Sequence, residues 1–70
     1  MINFATVGTG WITESFIQAA NFSGFFHLVG VYSRTEDKAK QFADKNNAPH
    51  YYTHLADMVN SKEIEAVYIA

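Results

Sequence analysis

The 70-residue sequence predicts an α/β fold built on a parallel β-sheet. Short apolar segments rich in strand-forming residues alternate with segments of helical periodicity, and turn-forming residues separate them. Alternating strands and helices are joined by right-handed crossovers in parallel sheets. We therefore predict the order β-α-β-α-β-α-β along the chain and the spatial strand order 3-2-1-4. This arrangement is the first half of a doubly wound sheet and is incomplete by itself.

The first strand and the first helix are predicted on either side of a glycine turn. Ile2–Val7 is a continuous apolar run, as expected for a parallel strand that is buried on both faces. Gly8-Thr9-Gly10 closes it, and a helix is predicted from Trp11 to the turn-forming residues 21–24. The apolar residues on one face of that helix are expected to be buried. They are Ile12, Phe16, Ala19 and Ala20.

The middle of the chain predicts a second strand over residues 28–32 and a second helix behind it. Thr35 stands in position to cap this helix, and the acidic residues that follow suit the positive end of the helix dipole. Residues 46–49 end the helix, since asparagine tolerates the left-handed conformation common at helix ends. The predicted apolar stripe consists of Ala39, Phe42 and Ala43.

The last third of the chain predicts a short strand, a short helix and a final strand. His50–Tyr52 is the third strand, and Thr53 is expected to cap a helix that buries Leu55, Met58 and Val59. Residues 65–70 have the composition of a buried strand. Because the sequence stops on this strand without a turn, we expect it to be a fragment of a longer protein.

Composition argues against several classes of protein. The chain is 49% apolar and 17% charged, which is typical of a domain with a packed core. A net charge of −2 leaves no general basic surface, so no nucleic-acid partner is expected. The absence of cysteine excludes disulfides and thiolate metal sites, and we predict no metal site. No run spans a bilayer and no leader pattern is present, so we expect a cytoplasmic protein with no membrane partner.

The strongest functional signal is the pattern G-x-G-x-x-T between the first strand and the first helix. In a dinucleotide fingerprint, the first glycine (Gly8) permits the turn and the second (Gly10) lets a diphosphate approach the backbone. The helix start then offers unpaired N–H groups to the anion. Thr13 replaces the third glycine, and we expect its side chain to push the helix slightly off the strand. The alternative is a purely structural turn. Trp11 either lines the ligand cleft or covers the helix start.

A second signal lies at the end of the second strand. NAD-binding folds place an acidic residue there, about 20 residues after the glycines, to accept a hydrogen bond from the ribose 2′-hydroxyl. This sequence has Ser33 and Arg34 instead, with Lys38 one helical turn further on. A hydroxyl and two cations suit a phosphate, so NADP is favoured over NAD. Glu36 and Asp37 are expected to offset this charge partly, and the alternative is a pair of solvated surface cations.

Three motifs together resemble the N-terminal domain of the Gfo/Idh/MocA oxidoreductases, named for glucose–fructose oxidoreductase and inositol dehydrogenase. They are GTGWI at residues 8–12, VYSR at 31–34 with KA at 38–39, and AVYIA at 66–70. The resemblance covers the whole chain and implies a Rossmann fold. Residues 1–70 would then be the N-terminal part of a dinucleotide-binding domain. The rest of that domain and a C-terminal substrate domain would lie outside this sequence.

The resemblance implies NAD(P)-dependent hydride transfer on a sugar, a cyclitol or a similar hydroxy or keto compound. By match to the family pattern, the diphosphate would be held by Gly8, Thr9, Gly10, Trp11 and Ile12. The adenosine 2′-phosphate would be surrounded by Ser33, Arg34 and Lys38, and the cofactor near the gap between the first and fourth strands would contact Ile69 and Ala70.

The family's catalytic Glu-Lys-Pro motif is not in this chain, so no catalytic residue is predicted within it. The homo-oligomer that the resemblance implies would form through the C-terminal domain. Two alternatives remain open at this point. One is a non-catalytic NAD(P)-binding sensor or regulatory module, and the other is a different oxidoreductase with the same N-terminal half, such as an amino-acid-pathway dehydrogenase.

Overall fold

The computed structural model describes residues 1–70, in which strands and helices alternate as predicted. They are β1 (Ile2–Val7), α1 (Trp11–Ser23), β2 (Phe26–Tyr32), α2 (Glu36–Lys45), β3 (His50–Tyr52), α3 (Leu55–Val59) and β4 (Ala66–Ile69). All strand pairs are parallel, and the spatial order is β3-β2-β1-β4. Both the alternation and the predicted strand order are confirmed. The order of connection reverses between β1 and β4, where doubly wound sheets bind their ligands.

The main core lies between the sheet and the pair of helices α1 and α2. Phe4 of β1 occupies its centre, with the rings of Phe16 and Phe26 packed edge-on at centroid distances of 5.8 and 6.1 Å. Such edge-to-face pairs are favoured by the charge distribution of aromatic rings. The buried members of this cluster are Phe4, Ile17, Ala20, Leu28, Val31, Phe42 and Ala43.

The buried face of α1 agrees with the predicted one only in part. Ala20 is buried and Phe16 packs against the core, as predicted, but Ile12 and Ala19 are exposed. Thr13 and Ile17 are buried instead, so the face is displaced by about one residue of helical rotation, since each residue turns the helix by about 100°. The glycine turn sets this rotation, because it brings Thr13 directly against Gly8 and leaves Ile12 facing outward.

The second helix follows the prediction closely. Ala39, Phe42 and Ala43 are its buried residues, as expected from the spacing. Thr35 occupies the N-cap position, but its side chain makes no capping hydrogen bond. After the helix, Asn47 adopts the left-handed conformation at φ 59°, in agreement with the predicted asparagine stop.

The third helix was predicted less well. It is preceded by His54 at the N-cap, not by Thr53, and only Met58 of its five residues is buried. Leu55 and Val59 are 46% and 66% exposed, so the predicted three-residue stripe is wrong. A helix of little more than one turn presents only one side chain squarely to the sheet.

The final strand lies at an edge of the sheet, where β1 is its only neighbour. Val67 and Ile69 are 40% and 75% exposed in this arrangement, so the predicted burial of the strand is wrong for the described residues. Tyr68 is packed best, since its ring stacks on Phe16 of α1 at a centroid distance of 3.9 Å. This contact ties the edge strand to the first helix.

A bilayer-spanning helix is not found among the helices of this structure.

Truncating the core side chain of α1 tests the observed helix rotation. Ile17 is 0% exposed and Gln18 is exposed. We expect Ile17→Ala to lower the free energy of unfolding by about 2–5 kcal/mol, because it leaves a cavity between α1 and the sheet. Gln18→Ala, the matched control, should change it by less than about 0.5 kcal/mol. Urea denaturation of the full-length protein measures both, and equal effects would contradict the rotation described here.

Candidate functional site

The turn between β1 and α1 requires glycine at its first position. Gly8 has φ 114°, a backbone conformation that residues with a side chain rarely adopt. A Cβ at this position would lie 3.2 Å from the Thr13 hydroxyl oxygen and 3.7 Å from the Ala70 carbonyl oxygen. The Gly8 N–H donates to the Tyr32 carbonyl at 3.2 Å, which fixes the turn to the end of β2.

In contrast to Gly8, the glycine at position 10 is not explained by backbone conformation. Its backbone is extended (φ −81°, ψ 179°), which any residue can adopt, and a Cβ built on it would meet no atom within 4 Å. The fold of the chain therefore does not require glycine at this position. A glycine is needed where another molecule must approach the backbone closely, as in dinucleotide-binding turns.

The start of α1 carries unpaired hydrogen-bond donors. The first hydrogen bond of the helix runs from the Glu14 N–H to the Gly10 carbonyl at 3.1 Å. None of the amide N–H groups from Thr9 to Thr13 donates to another group of the chain, and no side chain caps the helix. Unpaired amides and the positive end of the helix dipole together form a site for an anion.

One carboxylate lies in the first turn of α1 and is neutralised locally. Glu14 forms an ion pair with Lys45 at the end of α2, with 3.1 Å between Nζ and Oε2. A negative charge near an anion site would repel the ligand, and the lysine reduces that repulsion. The pair thus leaves the helix start electrostatically suitable for phosphate.

An open cleft of about 400 Å³ lies on the β2 side of the turn. We call it the β2-side cleft. Arg34 and Lys38 are exposed and take part in neither of the ion pairs in the structure. No carboxylate lines the cleft, and Glu36 and Asp37 lie next to its cations in sequence but outside its lining. Its lining residues are Val7, Gly8, Thr9, Tyr32, Ser33, Arg34, Thr35 and Lys38.

A second cleft, of about 230 Å³, lies on the other side of the turn, and we call it the β4-side cleft. The Ala70 N–H donates to the Val7 carbonyl at 3.2 Å, which holds the end of β4 beside the turn. Trp11 is 77% exposed and lines this cleft, which agrees with the first of its two predicted roles. The lining residues are Gly8, Gly10, Trp11, Ile12, Thr13 and Ala70.

The structure brings together all but one of the residues predicted to bind a cofactor. Ile69 is the exception, since it pairs with Val7 in the sheet but lines neither cleft. Thr35 and Tyr32 line the β2-side cleft and were not predicted to. The sequence predicts Thr35 only as a helix cap. Its hydroxyl, next to Arg34 in the sequence, is the feature from which its place in the β2-side cleft could have been predicted.

The glycine turn has free amides and lies between a central parallel strand and its crossover helix, and a cleft lies at the end of the next strand. Together these features define a Rossmann-type dinucleotide-binding domain. The family comparison agrees with this class. Residues 2–70 match the family model described as "Oxidoreductase family, NAD-binding Rossmann fold". The chain therefore belongs to this family, the Gfo/Idh/MocA oxidoreductases.

Two curated relatives match the whole chain. The oxidoreductase YgjR of Escherichia coli (strain K12) is 47% identical over 70 residues. The scyllo-inositol 2-dehydrogenase (NADP(+)) IolU of Bacillus subtilis (strain 168) is 46% identical over the same length. The chain spans 21% of the length of each relative.

Solved structures share the fold. A proposed NADPH-dependent oxidoreductase from Desulfitobacterium hafniense superposes with a TM-score of 0.89 at 28% identity, covering 99% of this chain and 20% of that one. The WlbA dehydrogenase from Chromobacterium violaceum, in complex with NADH and UDP-GlcNAcA, superposes with a TM-score of 0.83 at 23% identity. That match covers 99% of this chain and 20% of that protein and shows the fold alone.

Substitution of the second glycine separates ligand binding from folding. We expect Gly10→Ala to leave the melting temperature unchanged, because the backbone and the space at this position accept a methyl group. The same methyl would lie where a diphosphate approaches the amides, so the dissociation constant for the dinucleotide should rise at least about tenfold. Calorimetric titration and thermal denaturation of the full-length protein measure the two quantities.

Gly8→Ala is the matched comparison for that experiment. It should lower the melting temperature, because Gly8 has φ 114° and Thr13 leaves little room for a Cβ. Undiminished dinucleotide binding by Gly10→Ala would show that the ligand does not approach this part of the backbone.

Proposed function

We propose that the chain is the N-terminal cofactor-binding segment of a longer oxidoreductase that uses NADP in preference to NAD. The enzyme would transfer hydride to or from a sugar, a cyclitol or a similar hydroxy or keto compound. The observation that carries the preference for NADP is the cationic β2-side cleft. The catalytic residues and the substrate domain would lie outside residues 1–70.

The charge of the β2-side cleft is suited to a phosphate and poorly suited to a neutral ribose hydroxyl. No acidic side chain stands at the end of β2, where NAD-specific folds use one. Arg34 and Lys38 instead supply two cations without ion-pair partners, and Ser33 supplies a hydroxyl. The guanidinium group can hold two phosphate oxygens at once. The name of the relative IolU includes NADP(+), which supports the same preference.

The residues of this chain would bind and orient the cofactor. The amides from Thr9 to Thr13 would hold the diphosphate, and the β2-side cleft would hold the adenosine 2′-phosphate. The residues of the β4-side cleft would direct the other half of the dinucleotide toward the gap between β1 and β4. When bound, the nicotinamide supplies the hydride chemistry, which no side chain of this segment provides.

The proposed substrate class rests on family membership and on the relative IolU, a scyllo-inositol 2-dehydrogenase. Nothing in the two clefts selects among sugars and cyclitols, since such contacts would come from the proposed substrate domain. The cytoplasmic location and the homo-oligomeric state also stay predictions.

Removing the arginine of the β2-side cleft tests the cofactor preference. We expect Arg34→Ala to weaken NADP binding about tenfold to a hundredfold, because a charge-assisted hydrogen bond contributes about 1.5–3 kcal/mol. NAD binding should change by less than about threefold, since NAD lacks the 2′-phosphate. Lys40→Ala is the matched control, because Lys40 is exposed on α2 and lines no cleft. Tighter binding of NAD than of NADP, unaffected by Arg34→Ala, would overturn the preference.

Turnover by the full-length protein tests the enzymatic function. With NADP⁺ and a panel of cyclitols and sugars, we expect NADPH formation, detected by its absorbance, with at least one member of the panel. The panel should include amino acids as a comparison class. Tight NADP binding without turnover of any compound would favour the sensor or regulatory module instead, and turnover of amino acids alone would contradict the proposed substrate class.

A further inference from the structure

Two threonine hydroxyls are buried in this chain without a hydrogen-bond partner. Thr6 is 0% exposed and Thr13 is 1% exposed, and neither Oγ1 atom contacts a donor or an acceptor. Burying an unpaired hydroxyl destabilises a protein, so native structures contain few such groups. Each of the two therefore calls for an explanation.

The two hydroxyls differ in their surroundings. Thr6 lies within β1, between β2 and β4, and lines no cleft. Thr13 lies in the first turn of α1 and lines the β4-side cleft together with Gly8, Gly10 and Ala70. Its Oγ1 is 3.2 Å from the position that a Cβ on Gly8 would occupy. Of the two threonines, only Thr13 lines a cleft beside the glycine turn.

Thr13 lies too close to the start of α1 to find a partner within the helix. A helical threonine commonly donates to the carbonyl four residues earlier, which here belongs to Thr9, outside the helix and before its N-cap Gly10. The Thr13 hydroxyl therefore has no partner in the chain. The dinucleotide fingerprint usually has glycine at this position, because the helix packs closely on the strand there. A buried and unpaired hydroxyl at such a position indicates a partner outside the chain.

We propose that the Thr13 hydroxyl is part of the diphosphate-binding site and donates a hydrogen bond to the bound dinucleotide diphosphate. This proposal rests on the proposed function. Threonine in a helix has two accessible side-chain rotamers. In the bound state, a change of rotamer would turn Oγ1 toward the β4-side cleft, which Thr13 lines. The hydroxyl then acquires the partner that it lacks in the cofactor-free chain, and it supplements the amides from Thr9 to Thr13.

The isosteric variant Thr13→Val tests this role, with Thr6→Val as a matched control. In the full-length protein, we expect Thr13→Val to weaken NADPH binding about tenfold, the equivalent of about 1.4 kcal/mol. The melting temperature of the cofactor-free protein should stay unchanged or rise, because valine replaces an unpaired hydroxyl with a group of the same shape. Thr6→Val should also leave that melting temperature unchanged or raise it, but without any change in NADPH affinity. Fluorescence titration with NADPH and thermal denaturation give the two readouts.

Thr13→Ser supplies a second arm that does not depend on how valine is accommodated. Serine keeps the hydroxyl and loses a methyl group, so NADPH affinity should stay within about threefold of wild type even if stability falls. Wild-type affinity in Thr13→Val, or a loss in Thr13→Ser as large as in Thr13→Val, would overturn the role of the hydroxyl and leave the proposed function intact. Failure of the wild-type protein to bind any nicotinamide dinucleotide would overturn both.

Discussion

The bend at Gly8 is the constraint on which the rest of the structure depends. Its φ of 114° turns the chain sharply after β1, and its N–H anchors the bend to the end of β2. The turn brings Thr13 against Gly8 and thereby sets which face of α1 meets the sheet. It also leaves the first amides of the helix without acceptors. The candidate binding site and the packing of the core are therefore two results of the same backbone geometry.

The sequence was sufficient to predict the features that depend on local chemistry. The glycine turn, the strand order and the residues around the turn follow from short motifs and from the handedness of crossovers. The buried face of α1 was not predictable in the same way, because Ile12 and Ile17 are equally apolar and only the seating of Thr13 decides between them. Similarly, the short helix α3 has apolar residues on several sides, and contact with the sheet selects Met58 alone.

Spacing in the sequence predicts some, but not all, of the positions of the charged residues near the end of β2. Ser33, Arg34 and Lys38 converge on one cleft as their spacing predicts, since a helical turn separates the last two. Glu36 and Asp37 lie between them in sequence but do not line the cleft. Successive residues of a helix are about 100° apart around its axis, so neighbours in sequence face different directions. Only the folded structure shows that these two carboxylates lie outside the lining of the cleft.

The stacked rings of Phe16 and Tyr68 have a consequence for how the β4-side cleft responds to a ligand. The rings lie 3.9 Å apart and are inclined by only 4°, and they join the middle of α1 to β4. The two walls of the cleft belong to these same elements, so the aromatic pair links them. Such a pair contributes about 0.5–1.5 kcal/mol beyond its buried area. Widening the cleft by moving β4 away from α1 would therefore have to break this contact.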